Sequence, residues 1–152
     1  MRRNGFTIAE LVVVVAIIGI LSTLVLPVAR FGMRRQKEIE LRDRLRKITG
    51  AIDQYHFYKT RNLLKDPGDV TQGDYPKELE DLVEGIELMD GRKVKLLRER
   101  DLTDPMTGRK EWATKSSTDD TDSSFSDDNN VFDVHSTSTA KALDGKTRYN
   151  EW

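Results

Sequence analysis

The chain has no cysteine, which excludes a disulfide framework, a thiolate metal site and a cysteine nucleophile. Histidine is almost as scarce, with His56 and His135 the only two. His135 stands beside Ser136, but neighbours on a strand point to opposite faces, so the two make no dyad. No glycine-rich phosphate loop is present either. These absences together leave no recognisable catalytic set and argue against an enzyme. Charge is missing throughout residues 11–29.

That uncharged run reads Leu-Val-Val-Val-Val-Ala-Ile-Ile-Gly-Ile-Leu-Ser-Thr-Leu-Val-Leu-Pro-Val-Ala. As a helix it would be about 28 Å long, close to the hydrocarbon thickness of a bilayer. A secretory signal has a shorter apolar stretch and a small-x-small cleavage site, and this segment has neither. A plain single-pass anchor fits the length but leaves two features unexplained: the Gly5-Phe6 step and the carboxylate of Glu10 at the edge of the span. Burying a lone carboxylate costs several kcal/mol or forces it to take up a proton, unless it finds a cation.

Beyond the run, Leu41, Leu45, Ile48, Ile52 and Tyr55 recur at steps of four and three, one apolar stripe on a helix. With Pro27, Gly32 and Gly50 as its breakers, the pattern predicts one long helix over residues 6–58. Its first half is membrane-grade and its second packs on a small domain. Pro27 lacks an N–H and should kink or loosen the helix. Aromatic residues Tyr55, Phe57 and Tyr58 read as core at the helix end, and His56 as packing or a helix-end cation.

Punctuation then takes over. Asp66-Pro67-Gly68-Asp69 is a turn, Tyr75-Pro76 leads into a short helix over 77–83, and Gly85 ends it. Residues 86–88 and 94–96 flank Asp90-Gly91 and suggest a hairpin, with a helix over 93–100 the alternative. Asp104-Pro105-Met106-Thr107-Gly108 is a turn, followed by strands expected at 111–113 and 131–135. The fold class is α+β, a long N-terminal helix on a small antiparallel sheet domain.

The first residues resemble the class III signal of type IV pilins and of the pseudopilins of type II secretion. The resemblance implies that a prepilin peptidase cuts between Gly5 and Phe6 and methylates the new amino group of Phe6. Residues 1–5 would be the leader, 6–29 the transmembrane or filament-core half of the helix, and 30–152 the head. Glu10 then becomes the fifth residue of the mature chain, where the family's glutamate meets the amino terminus of a neighbouring subunit. Lys and Arg counts alone would place the head in the cytoplasm. The resemblance overrules them and implies a bacterial inner-membrane anchor with a periplasmic head.

Later motifs resemble the G-type major pseudopilin: Tyr75-Pro76 before a Leu-x-x-Leu helix, Asp104-Pro105 with Gly108, and Phe132-Asp133-Val134-His135-Ser136. Met106 and His135 depart from that branch, which often has tryptophan and tyrosine there. Many members bind calcium in the loop after the last strand. Here the ligand element is replaced by Thr137-Ser138-Thr139-Ala140, while Ser136 and Asp144 remain as candidate ligands. The acidic run Asp119, Asp120, Asp122, Asp127, Asp128 and Asn129 is a further candidate source of oxygens, although it lacks EF-hand spacing.

The implied function is a structural subunit of a type II secretion pseudopilus. Its partners would be copies of itself, minor pseudopilins, prepilin peptidase and an inner-membrane assembly platform with its ATPase. Alternatives are a type IV pilin or minor pilin serving adhesion, motility or DNA uptake, and a membrane-tethered calcium or ligand-binding domain. Nucleic-acid binding by the basic stretch 30–61 is disfavoured, because Glu38, Glu40 and Asp43 interleave with its arginines and lysines and suit intrahelical ion pairs. The acidic stretch 119–133 gives the head an opposed patch that suits contact with a neighbouring subunit or a solvated face.

Overall fold

A computed structural model describes residues 5–66, 73–120, 126–127 and 129–152. The turn at 66–69 falls largely outside the described residues, as do Asp122 and Asp128. The fold class is α+β. Helix α1 runs Ile8–Thr60, two residues off the expected bounds at each end. The chain separates into two compact units, Met1–Gln36 and Lys37–Trp152.

In the first unit the helix has nothing to pack on. Among the described residues, sixteen large apolar side chains between Phe6 and Met33 are exposed, from Ile8 at 83% to Val14 at 45%. Covering one such side chain is worth about 1.5–3 kcal/mol, so the face is worth on the order of tens of kcal/mol to whatever covers it. It is long and apolar enough to cross a membrane.

In the second unit the predicted stripe is buried. Leu41, Ile48 and Ile52 are fully covered, and Leu45 and Tyr55 are half-buried. Ile48, Ala51 and Ile52 meet Leu79 and Leu82 of helix α2 (Leu79–Glu84) together with Leu97, Leu102, Val131 and Val134. A second cluster joins Leu41 to Ala142 and Tyr149, with Leu45 and Trp112 touching both.

Gly85 ends α2, its N–H reaching the carbonyl of Asp81. Its φ of +97° is one that side-chain-bearing residues rarely adopt, and a Cβ there would meet the Val94 carbonyl at 3.0 Å. The chain then turns into β1 (Ile86–Glu87), which pairs antiparallel with β2 (Lys93–Val94). Of the two readings of 86–100, the hairpin is the one formed. Asp90 organises its turn by accepting the Arg92 N–H at 3.0 Å, and Gly91 supplies φ +81°. Its strands are shorter than expected: Leu88 stays bonded to the Arg92 carbonyl but also bridges Leu64, and the Leu96 and Leu97 N–H groups turn away to the Leu82 carbonyl. In place of the helix over 93–100, a 3-10 turn occupies Glu99–Leu102.

Strand β3 (Trp112–Lys115) pairs antiparallel with β4 (Asp133–Ser136), with Trp112 opposite Ser136 and Lys115 opposite Asp133. Among the described residues the expected single small sheet is therefore two separate two-stranded ribbons. Packing on α1 makes up for their small size, since a lone hairpin is marginal in water. A final 3-10 turn covers Tyr149–Glu151.

The basic stretch of α1 is tied down by charge. Arg44 pairs with Glu40 one turn back and with the buried Asp101 of the 3-10 turn, and Lys47 pairs with Asp43 at 2.8 Å. Arg44 also donates to the Arg100 carbonyl at 2.8 Å. These contacts fasten the turn to the helix, in keeping with the ion-pair reading of the sequence.

Candidate assembly segment

Gly5, Phe6 and Thr7 precede the helix in non-helical conformation, and Phe6 is exposed. Thr7 caps α1. Its hydroxyl accepts the Glu10 N–H at 3.2 Å, while the Glu10 carboxylate accepts the Thr7 N–H at 2.9 Å and its hydroxyl at 3.0 Å. This reciprocal capping box satisfies donors that a helix start leaves orphaned. The negative charge also opposes the positive end of the helix dipole. Both bonds fall on Oε2, and Oε1 has no partner among the described residues. Thr7 was not among the sequence candidates, although the Thr-x-x-Glu spacing of a capping box marks it.

Farther along, α1 continues through Pro27, whose ring leaves the carbonyl of Thr23 without its usual donor. The polar side chains nearby bond back to their own helix. Ser22 Oγ donates to the Ile18 carbonyl and Thr23 Oγ1 to that of Ile20, each at 2.7 Å. Hydroxyls satisfied in this way carry little cost in an apolar surrounding.

The two candidate calcium ligands share no partner. Ser136 is fully buried, its hydroxyl donating to the buried Asp104 at 2.7 Å and accepting the Ser138 N–H at 3.1 Å. Asp104 also accepts the Met106 N–H at 2.7 Å, so one carboxylate pins the Asp-Pro turn to β4. Asp144 is exposed and closes its own turn, accepting from the Lys146 and Thr147 N–H groups and the Thr147 hydroxyl. Those bonds hold its carboxyl below the ordinary value. Among the described residues no group of three or more histidines and carboxylates is placed to hold a metal ion. Calcium takes six to eight oxygens, and the arrangement around Ser136 and Asp144 does not fit it.

In the acidic stretch, Asp119 accepts the Ser116 N–H at 2.7 Å and the Asp127 N–H at 3.0 Å. Asp127 accepts from the Thr118 hydroxyl at 2.6 Å and from Asn129, and these bonds bring its carboxyl down to about 2. The oxygens organise a loop.

The histidines have separate settings. His56 stacks on Tyr75 with ring centroids 4.6 Å apart, a packing role. His135 Nδ1 lies 2.7 Å from the Trp152 carbonyl, and Nε2 lies 3.5 Å from Asp133. Tyr55 and Tyr58 are half-buried, but Phe57 is exposed at 47% with the Arg61 guanidinium over its ring, which corrects its placement in the core.

The described chain is thus an apolar helical segment with a capped start, followed by an α+β head. Residues 1–26 match the prokaryotic N-terminal methylation motif, the type IV pilin-like signal. That signal belongs to chains processed by prepilin peptidase and assembled into filaments. Comparison of the whole chain with curated proteins and with solved structures gave no significant match.

Proposed function

We propose that the chain is a structural subunit of a type II secretion pseudopilus, a periplasmic filament that helps drive folded proteins through the outer membrane. The observation that carries this reading is the methylation motif over residues 1–26, which overlaps a helix with sixteen exposed large apolar side chains among the described residues between Phe6 and Met33. The peptidase cuts between Gly5 and Phe6, and Phe6 becomes the N-methylated first residue. The anchor holds the chain in the bacterial inner membrane with the head in the periplasm until the platform and its ATPase add it to the filament.

In the filament Glu10 meets the amino group of a neighbouring Phe6. The free Oε1 supports this role, because the carboxylate can take that cation while Oε2 keeps the cap. Pro27 is where the helix loosens as it moves from lipid to filament core.

Expression with prepilin peptidase and the assembly machinery tests the reading. Mass spectrometry should find a mature chain beginning at N-methylated Phe6, and electron microscopy should find short fibres confined to the cell envelope. Fibres reaching beyond the cell would instead assign the chain to a surface pilus. A subunit that stays monomeric under those conditions would leave a tethered binding domain.

A further inference from the structure

The loop after β4 does not fit the calcium ion that the resemblance implies, yet the C-terminal segment 137–152 is firmly attached. We propose that Glu38 of α1 does the fastening that calcium would otherwise supply, so that the order of this segment is independent of calcium.

Glu38 Oε1 accepts the Leu143 N–H at 2.7 Å and the Tyr149 hydroxyl at 2.8 Å. Hydrogen bonds to an ionised carboxylate are among the stronger ones. Around it, Leu41 packs on Tyr149 and Ala142, and the Arg42 guanidinium lies 4.4 Å from the centroid of the Trp152 ring. Trp152 meets the Tyr149 ring edge-on at 5.2 Å. One turn of helix therefore grips the segment through an anion, an aliphatic contact and a cation over an indole.

A calcium ion closes a loop by collecting oxygen acceptors around a positive centre. Glu38 closes this one with the opposite sign, collecting donors around a negative centre. Three of the acceptors an ion would draw on are already engaged. Asp144 holds its own turn, Ser136 is bonded to Asp104, and the Thr139 carbonyl accepts from Arg148 at 2.7 Å. An entering cation would have to break these bonds before making its own.

The test uses the full chain in detergent micelles, with calcium chloride as the only probe. The melting temperature should be the same in millimolar calcium and in chelator. Glu38→Ala should speed amide exchange at Leu143 and Tyr149 about tenfold or more, since each lost bond is to a charged acceptor. Tyr149→Phe removes one donor without a cavity, should give a smaller acceleration, and keeps the test open where Glu38→Ala does not fold. Calcium should change neither variant. A chelator-induced fall in the wild-type melting temperature, or calcium restoring slow exchange to Glu38→Ala, would overturn the proposal. These readouts do not involve filament assembly, so they can fail independently of the filament reading.

Discussion

Thr7 and Glu10 hold each other across the first turn of α1, each side chain bonded to the backbone N–H of the other. Glu10 therefore has an occupation within its own chain, besides the one proposed between subunits. Two substitutions separate them. Glu10→Gln keeps an acceptor for Thr7 but removes the charge, whereas Glu10→Ala removes both. We expect Glu10→Ala to loosen the helix start, read as faster amide exchange over its first turn. Glu10→Gln should keep the helix start by amide exchange and yet fail to assemble. Normal filaments from Glu10→Gln would show that the charge is not what registers the subunits.

The Asp104 carboxylate is fully buried and bonds to both Ser136 and Met106. Asp104→Ala should lower the stability of the head by about 2–4 kcal/mol, because a buried hydroxyl and a part-buried N–H lose their acceptor together. Ser136→Ala, which leaves Asp104 its Met106 bond, should cost less. Thermal unfolding of both variants ranks them, and the reverse order would contradict the pin.

Gly85 combines a positive φ with a backbone contact at 3.0 Å. Gly85→Ala should destabilise the α2–β1 junction by about 1–3 kcal/mol, more than the gain an alanine brings at an unstrained site. Gly91, with open space at its Cβ position, isolates the conformational part. Gly91→Ala should therefore cost less than Gly85→Ala in denaturant unfolding.

Asp127 titrates at about 2, against an ordinary 3.8, because the Thr118 hydroxyl and Asn129 bond its ionised form. The sign follows from linkage: a carboxyl depressed in the folded state stabilises its loop above the ordinary value and loses that contribution as pH falls toward its folded value. Protection of the Asn129 N–H should stay constant above roughly pH 4 and decline from there toward pH 2. Carboxyl titration by NMR checks it. A midpoint at the ordinary value would mean the bonds do not persist in solution.

The long helix was legible because its apolar residues repeat at helical spacing over many turns, and the Asp90-Gly91 hairpin because its turn needs positive φ at the glycine. The Leu88 bridge to Leu64 and the turn of Leu96 toward Leu82 depend on contacts across the head that local pattern does not record. Phe57 was misplaced for a related reason. It shares an aromatic run with Tyr55 and Tyr58, but α1 turns it away from the core. Of the site residues, Gly5, Phe6 and Glu10 stand close together in the sequence, inside the stretch that matches the methylation motif. The partners of Glu38 were not, because Leu143 and Tyr149 lie more than a hundred residues away along the chain.

The exposed apolar half of α1 also bears on what any motor would have to do. A helix that satisfies its own backbone, and bonds its hydroxyls back to itself, is nearly indifferent between acyl chains and the flanks of like helices, since both are hydrocarbon. Extraction from lipid into a fibre would then be an exchange between two similar solvents, with a small free-energy difference and a transfer that can run in either direction. Growth and retraction would be decided at the ends of that segment, by where Glu10 finds its cation and by the force applied to the head.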